Sequence, residues 1–235
     1  MKRWLACLLC LGATLAHAAP PAEIHATYKL LRNGQQMGVV TETFKRDAHK
    51  YRLDSETAAI GIFALFAKGK IRLSSNGDVT ADGLRPLHFE HHRGADPAKT
   101  ITADFNWDKQ TVTHNFDGKT ETAELKPGTQ DRISFLYQFM FKPPRKDDIL
   151  LPMTTGKKLN VYRYRLSGEE KITVPAGSFR ALHLVKQHAA DEDGTEIWLA
   201  KSRNHFPVRI IFDEKDGTKL EQQLVSVEFG TDKAR

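Results

Sequence analysis

Apolar and polar residues alternate along most of the chain. Ile24, Ala26, Tyr28 and Leu30 share one parity against His25, Thr27 and Lys29, and Tyr51, Leu53, Ser55 and Thr57 continue the pattern. Period-two alternation sends one set of side chains to a buried face and the other toward water, as in a strand covered on one side. Asn33-Gly34 predicts a tight hairpin turn into a strand over 36–45. Further turns are read at Asn76-Gly77, Asp117-Gly118, Asp193-Gly194 and Asp216-Gly217. Other predicted strands cover 70–75, 87–93, 100–106, 111–116, 159–166, 169–174, 180–187, 195–199, 208–212 and 220–229.

Two segments depart from that rhythm. Ile62, Phe63, Leu65 and Phe66, between Gly61 and Gly69, predict one short apolar helical turn. Over 131–141, Ile133, Leu136, Tyr137 and Met140 fall at i, i+3, i+4 and i+7, the stripe of a core-facing helix. Asp131 stands where a carboxylate can cap free backbone N–H groups and meet the positive end of the helix dipole. Pro143 and Pro144 stop the helix. About a dozen strands joined by short connections, with too few helices for parallel crossovers, give a mainly β fold. The expected architecture is a large curved antiparallel sheet or partly open β-barrel plugged by one central helix. Residues 19–235 then form a single antiparallel β domain. Two lobes, about 22–126 and 147–230, joined by helix 130–141, are the alternative organisation.

The first 18 residues read differently. Lys2 and Arg3 precede an apolar run from Trp4 to Leu15, and Ala16-His17-Ala18 supplies a small–x–small cleavage pattern. A spanning helix needs about 20 apolar residues, so no transmembrane anchor is expected to be retained. The expectation is a signal peptide cleaved after Ala18 and a secreted protein of the periplasm. Both cysteines, Cys7 and Cys10, lie inside the leader and fit a lipid-attachment pattern poorly. The mature chain then has no disulfide, no thiol nucleophile and no thiolate ligand, and its core alone must stabilise it. The formal charge of +6 falls to +4 without Lys2 and Arg3. That mild excess lacks the basic face with interleaved aromatics that a nucleic-acid partner would need.

Candidate chemistry is sparse. His88, Glu90 and His92 project from one face of a predicted strand, a set that could ligate zinc, but a solvated strand face is the plainer reading and no metal or other cofactor is expected. Ser134, Ser167, Ser178 and Ser202 lack a strand–turn–helix nucleophile elbow, so no catalytic residue is assigned. Asp131-Arg132 opens the central helix; it is either a helix cap with a structural ion pair or a polar anchor in which Arg132 donates to a ligand head group. Trp107 and Trp198 on strands are core residues or ligand platforms.

Several phrases together resemble one family of exported bacterial proteins, the domain-of-unknown-function family 3108. They are Tyr28 to Gly38 (YKLLRNGQQMG), Gly83-Leu84-Arg85-Pro86, Phe105-Asn106-Trp107, Gln130-Asp131-Arg132-Ile133-Ser134 and Tyr162 to Arg165 (YRYR). Val174-Pro175-Ala176-Gly177-Ser178-Phe179, Glu196-Ile197-Trp198-Leu199-Ala200 and Phe206-Pro207-Val208 complete the set. Asn106, where an acidic residue is expected, and Lys201, where proline is expected, depart from the pattern. The resemblance implies an envelope location and a curved β architecture, and no activity or catalytic residue. By analogy of fold alone, helix-plugged curved sheets of envelope lipid and lipoprotein carriers hold apolar ligands.

The leading expectation is a non-enzymatic binding module for a lipid, an acyl chain or another apolar envelope ligand. Its candidate ligand-binding residues are Trp107, Asp131, Arg132, Leu136, Tyr137, Met140 and Trp198. The alternative is a scaffolding partner of another cell-envelope protein, with a filled core, acting through a strand edge or the 142–148 linker. A hydrolase of envelope polymers is the third.

Overall fold

A computed structural model describes residues 20–94 and 96–230; the expected leader and its cleavage site lie outside the described residues. The chain begins with β1 (Glu23–Arg32), β2 (Gln35–Arg46) and β3 (Lys50–Ala59), then the short helix α1 (Ile62–Phe66). Next come β4 (Ile71–Thr80), β5 (Gly83–Arg93), β6 (Ile101–Asn106), β7 (Thr111–Phe116) and β8 (Lys119–Glu124). A two-residue strand β9 (Gln130–Asp131) leads into α2 (Ser134–Phe141). The remainder is β10 (Asp148–Thr154), β11 (Leu159–Val174), β12 (Gly177–Gln187), β13 (Gly194–Ala200), β14 (Phe206–Asp213) and β15 (Lys219–Gly230).

All fifteen strands join one sheet, in the order β8-β7-β6-β5-β4-β3-β2-β1-β15-β14-β13-β12-β11-β10-β9. The first and last strands pair at its middle, Glu23 opposite Gly230, while β8 and β9 form its edges. Every pairing is antiparallel except the short one between β9 and β10. So long a twisted sheet must curl, and here the β9–β10 edge comes round against the inner face of β5–β7. His114 Nε2 and Thr154 Oγ1 share a hydrogen bond of 2.8 Å, and Gln130 Nε2 donates to the Leu84 carbonyl at 2.8 Å. Side chains rather than a backbone ladder therefore seal the barrel, which stays open as a sheet.

The alternation places the core as expected. Ile24, Ala26, Tyr28, Leu53 and Ser55 point inward and are buried. Asn33 and Gly34 both take positive φ (48° and 83°), the backbone of a two-residue hairpin turn. Asn76-Gly77 does not turn; it continues β4 at a bulge opposite Pro86. A Cβ on Gly77 would lie 2.2 Å from the Arg85 carbonyl oxygen, so the glycine is there for close strand approach. Sequence patterning also missed β8 and β10, and split β11 where a bulge at Leu166/Gly168 interrupts its parity.

Helix α2 fills the barrel. Its Tyr137 ring lies 5.1 Å from Phe44 and 5.7 Å from Phe206, joining both halves of the sheet. Full burial of such a ring contributes about 1.5–3 kcal/mol. Gln138 accepts the Leu84 N–H at 2.7 Å and donates to the Asp82 carbonyl at 2.8 Å, fixing this end of the helix beside the β4–β5 turn. The other end faces the opposite rim of the barrel, where the turns after β1, β3, β5, β7, β10, β12 and β14 gather. The helix begins three residues later than the expected 131–141. Asp131 belongs to β9, and its carboxylate reaches forward to accept from the N–H groups of Ile133 (3.0 Å) and Ser134 (2.8 Å).

Candidate functional site

Between the N-terminal end of α2 and the rim lies a cavity of about 470 Å³ that opens to solvent at the rim turns. Arg132, Ile133 and Leu136 make its floor. Leu30, Leu73, Met153, Tyr164 and Phe212 supply apolar wall, because each takes the inward parity of its strand. Glu42, His91, Arg93, Tyr162, Lys186 and Gln222 are among the polar groups set into that wall, and Asp193 and Glu214 stand in the rim turns.

Arg132 is solvent-exposed, its surface opening onto the cavity instead of packing. Enclosure lowers its pKa from the ordinary arginine value, and the nearby charge of Arg93 acts in the same sense. Among the described residues no carboxylate lies within ion-pairing distance of its guanidinium. Asp131, its sequence neighbour, points the other way, into the core. It is fully buried and accepts from Ser75 Oγ at 2.5 Å besides the two helix N–H groups. Burial pushes its carboxyl above the usual range, against the pull of those donors. The pair is thus a helix cap plus a free cation, not an ion pair.

His91 is 4% exposed and lines the same cavity. Arg93 Nε donates to its Nε2 at 3.4 Å, so in the neutral ring the proton sits on Nδ1, which has no partner. Burial, then the charges of Arg132 and Arg93, lower its pKa to about 4. Glu42 lines the cavity on the other side, accepting from Tyr137 OH at 3.0 Å and Ser55 Oγ at 3.3 Å. Burial raises its pKa to about 7 despite both bonds. Lys186 donates to the Asp193 carbonyl and lies 4.9 Å over the Tyr162 ring.

Of the seven residues singled out from sequence, Arg132 and Leu136 meet in the cavity. Tyr137 and Met140 are core residues beneath its floor, and Asp131 is the cap. Trp107 donates to the Pro86 carbonyl at 2.7 Å and lines a separate cleft of about 320 Å³ at the opposite end of the barrel. Trp198 lies on the outer face, since its neighbours Ile197 and Leu199 take the core; it is sandwiched between His183 (4.3 Å) and Arg209 (4.7 Å). Sequence reasoning passed over His91, Glu42, Tyr162 and Lys186. For His91 the signal was present: it alternates with His88, Glu90 and His92 and shares the parity of buried Phe89. The outward histidines pair locally, His92 with Glu90 at 2.8 Å and His88 with Asp104 at 2.7 Å. Among the described residues no cluster with metal-binding geometry occurs, and no helix is long and apolar enough to cross a membrane.

The family described as "Protein of unknown function (DUF3108)" matches residues 23–225, from the first strand into the last. The chain belongs to this family. No curated protein sequence matches it. In solved structures it is similar to a β-barrel-like protein of the domain of unknown function DUF1849 from Brucella abortus, at 12% identity and a TM-score of 0.58. That match covers 91% of this chain and 100% of the other, and it shows a shared fold. A candidate lipoprotein from Parabacteroides distasonis (TM-score 0.38, 9% identity) matches over 90% of this chain and 98% of its own. A candidate exported protein with a YmcC-like fold from Bacteroides fragilis (TM-score 0.32, 11% identity) does so over 89% and 97%.

Proposed function

We propose that this DUF3108 protein is a non-enzymatic binding module of the bacterial envelope that takes up a lipid or another apolar ligand between its sheet and α2. The observation that carries the reading is the cavity itself. A packed-solid barrel would favour scaffolding, whereas about 470 Å³ with leucine, methionine, tyrosine and phenylalanine walls falls in the range of small-molecule sites. Polar side chains, Arg132, His91, Glu42, Lys186 and Gln222 among them, alternate with that apolar wall, which suits a ligand with a polar end. An acyl chain suits the apolar wall between floor and rim. The leader-like first 18 residues support export to the periplasm, where such a ligand would be met.

The test is native mass spectrometry of the full chain expressed in a bacterial host and purified from the envelope fraction without detergent. A bound lipid-sized mass, lost after substituting Leu73 and Leu136 by tryptophan to fill the cavity, is the expected result. No bound mass, together with no uptake of a fluorescent fatty acid, would overturn the reading.

A further inference from the structure

Among the polar groups that line the cavity, two donors and one acceptor have no partner among the described residues; the acceptor is the side-chain carbonyl oxygen of Gln222. Arg132 presents a guanidinium with no ion pair among the described residues, and His91 presents an Nδ1–H from a ring that is 4% exposed. An unmatched buried donor such as the His91 Nδ1–H costs about 1–3 kcal/mol, whereas Arg132 is solvent-exposed in the cavity and free to bind a ligand. A fold keeps such groups where a ligand completes them. Arg93 reinforces the pair: it bonds the far side of the His91 ring and adds positive potential at the same wall. No acid that lines the cavity forms an ion pair with Arg132, although Glu214 and Asp193 act on its charge from a distance. Glu42 is engaged with Tyr137 and Ser55, Asp213 pairs with Lys219 at 3.3 Å, and Asp193 accepts the Lys215 N–H.

We propose that Arg132 and His91 form an oxyanion subsite at the floor of the cavity, so that the ligand is an amphiphile with a carboxylate or phosphate head group and an apolar tail. The fork of a guanidinium matches two oxygens of either group, and the imidazole N–H supplies a further donor. Leu136, Ile133 and Leu73 receive the first methylenes. The assignment rests on the cavity being a ligand site, and it adds the chemistry of the head.

Fluorescent probes of equal chain length, one a fatty acid and one its methyl ester, distinguish the two claims. The wild-type chain is expected to bind the acid at least tenfold more tightly than the ester. Arg132→Gln should weaken the acid by about ten- to a hundredfold, the effect of losing a charge-assisted hydrogen bond, and leave the ester within about twofold. His91→Gln should give a smaller loss with the same selectivity. Equal affinity for acid and ester overturns the subsite and leaves the cavity reading standing; failure of both probes overturns the cavity reading itself. A lysophosphatidic acid probe and inorganic phosphate complete the set. Competition by phosphate alone at micromolar levels would show a free-anion site and overturn the amphiphile.

A different observation carries a second inference. Every residue of α1 is outside the core, with Ile62, Leu65 and Phe66 exposed by 63%, 81% and 79%. From Thr57 to Gly77 there is no acidic residue, while Lys68, Lys70 and Arg72 follow the helix; only Glu56, paired with Lys70 and Arg72, offsets them. Three apolar side chains on one turn are far too small a patch for a stable protein interface, which buries about 800 Å² per partner. They suit shallow insertion into a bilayer, with the cations at anionic head groups. We infer that α1, at the cavity mouth, docks the protein on an anionic lipid surface. Sedimentation with phosphatidylglycerol-containing vesicles should pull down the full chain, and phosphatidylcholine vesicles should not. Leu65→Glu with Phe66→Glu should abolish this without changing the thermal midpoint. Unchanged vesicle binding by that variant, or a concentration-dependent dimer lost on the same substitutions, would overturn the inference.

Discussion

Ser75 Oγ donates to Asp131 Oδ2 at 2.5 Å inside the barrel. Because that hydrogen is spent, the 2.8 Å contact between Ser75 and Tyr51 has the tyrosine as donor. A chain Tyr51–Ser75–Asp131 thus ties β3 and β4 to the start of α2 and holds the cavity floor in place. Ser75→Ala removes one donor from a fully buried carboxylate and should cost about 1–3 kcal/mol in urea unfolding. Asp131→Ala also strips the cap from two helix N–H groups and should cost more. Equal stability of both variants with the wild-type chain would show that this chain does not anchor the plug.

Glu42 and His91 should give stability opposite pH slopes. Glu42 titrates near 7 in the fold against 4.5 ordinarily. Between those values the unfolded chain has released the proton and the folded chain keeps it, so stability falls as pH rises, by roughly 3 kcal/mol in full. His91 titrates near 4 against 6.5. Between those values the unfolded chain binds a proton that the folded chain refuses, so stability falls as pH drops. The two contributions oppose each other from about pH 4.5 to 6.5. Relative to wild type, Glu42→Gln should gain stability progressively from pH 4.5 to 7, and His91→Gln should gain it below pH 6.5. Denaturant titrations at half-unit pH steps check both, and a pH-independent difference for either variant would refute its share.

Arg132 should matter little for folding. Its side chain is solvent-exposed in the cavity and makes no ion pair among the described residues, so Arg132→Met is expected to move the thermal midpoint of the ligand-free protein by no more than about a degree. A fall of several degrees would mean that the arginine supports the fold and would remove the argument that it waits for a ligand.

The seam between the sheet edges is tight at Gly156. A Cβ there would lie 2.7 Å from Ile101 Cγ2 and 3.0 Å from Phe89, at a φ of +90°. Gly34 has a similar φ of +83° with nothing within 4 Å. Gly156→Ala should therefore destabilise by the backbone strain plus an overpacking cost of about 1–3 kcal/mol, whereas Gly34→Ala should show the strain alone. Thermal unfolding of the two variants separates the contributions.

Strand parity, the plug helix and the family phrases were written in local sequence, because a strand or helix next to one oily interior must repeat its apolar side chains at period 2 or 3.6. The Ile133–Leu136–Tyr137–Met140 stripe named the plug, and the alternation around Tyr28 and Leu53 named the inner face. The strands missed, β8 and β10, are those whose sides are both largely exposed or irregular, so no alternation marked them. The candidate site was only half legible for a different reason. Asp131 and Arg132 are adjacent, and nothing local says that one turns into the core and the other into a cavity. That follows from where β4 and the rim turns arrive. Likewise His91, from β5, and Arg132, from the helix start, meet only because the sheet curls until its edge reaches its own inner face, a long-range closure that no window of sequence contains.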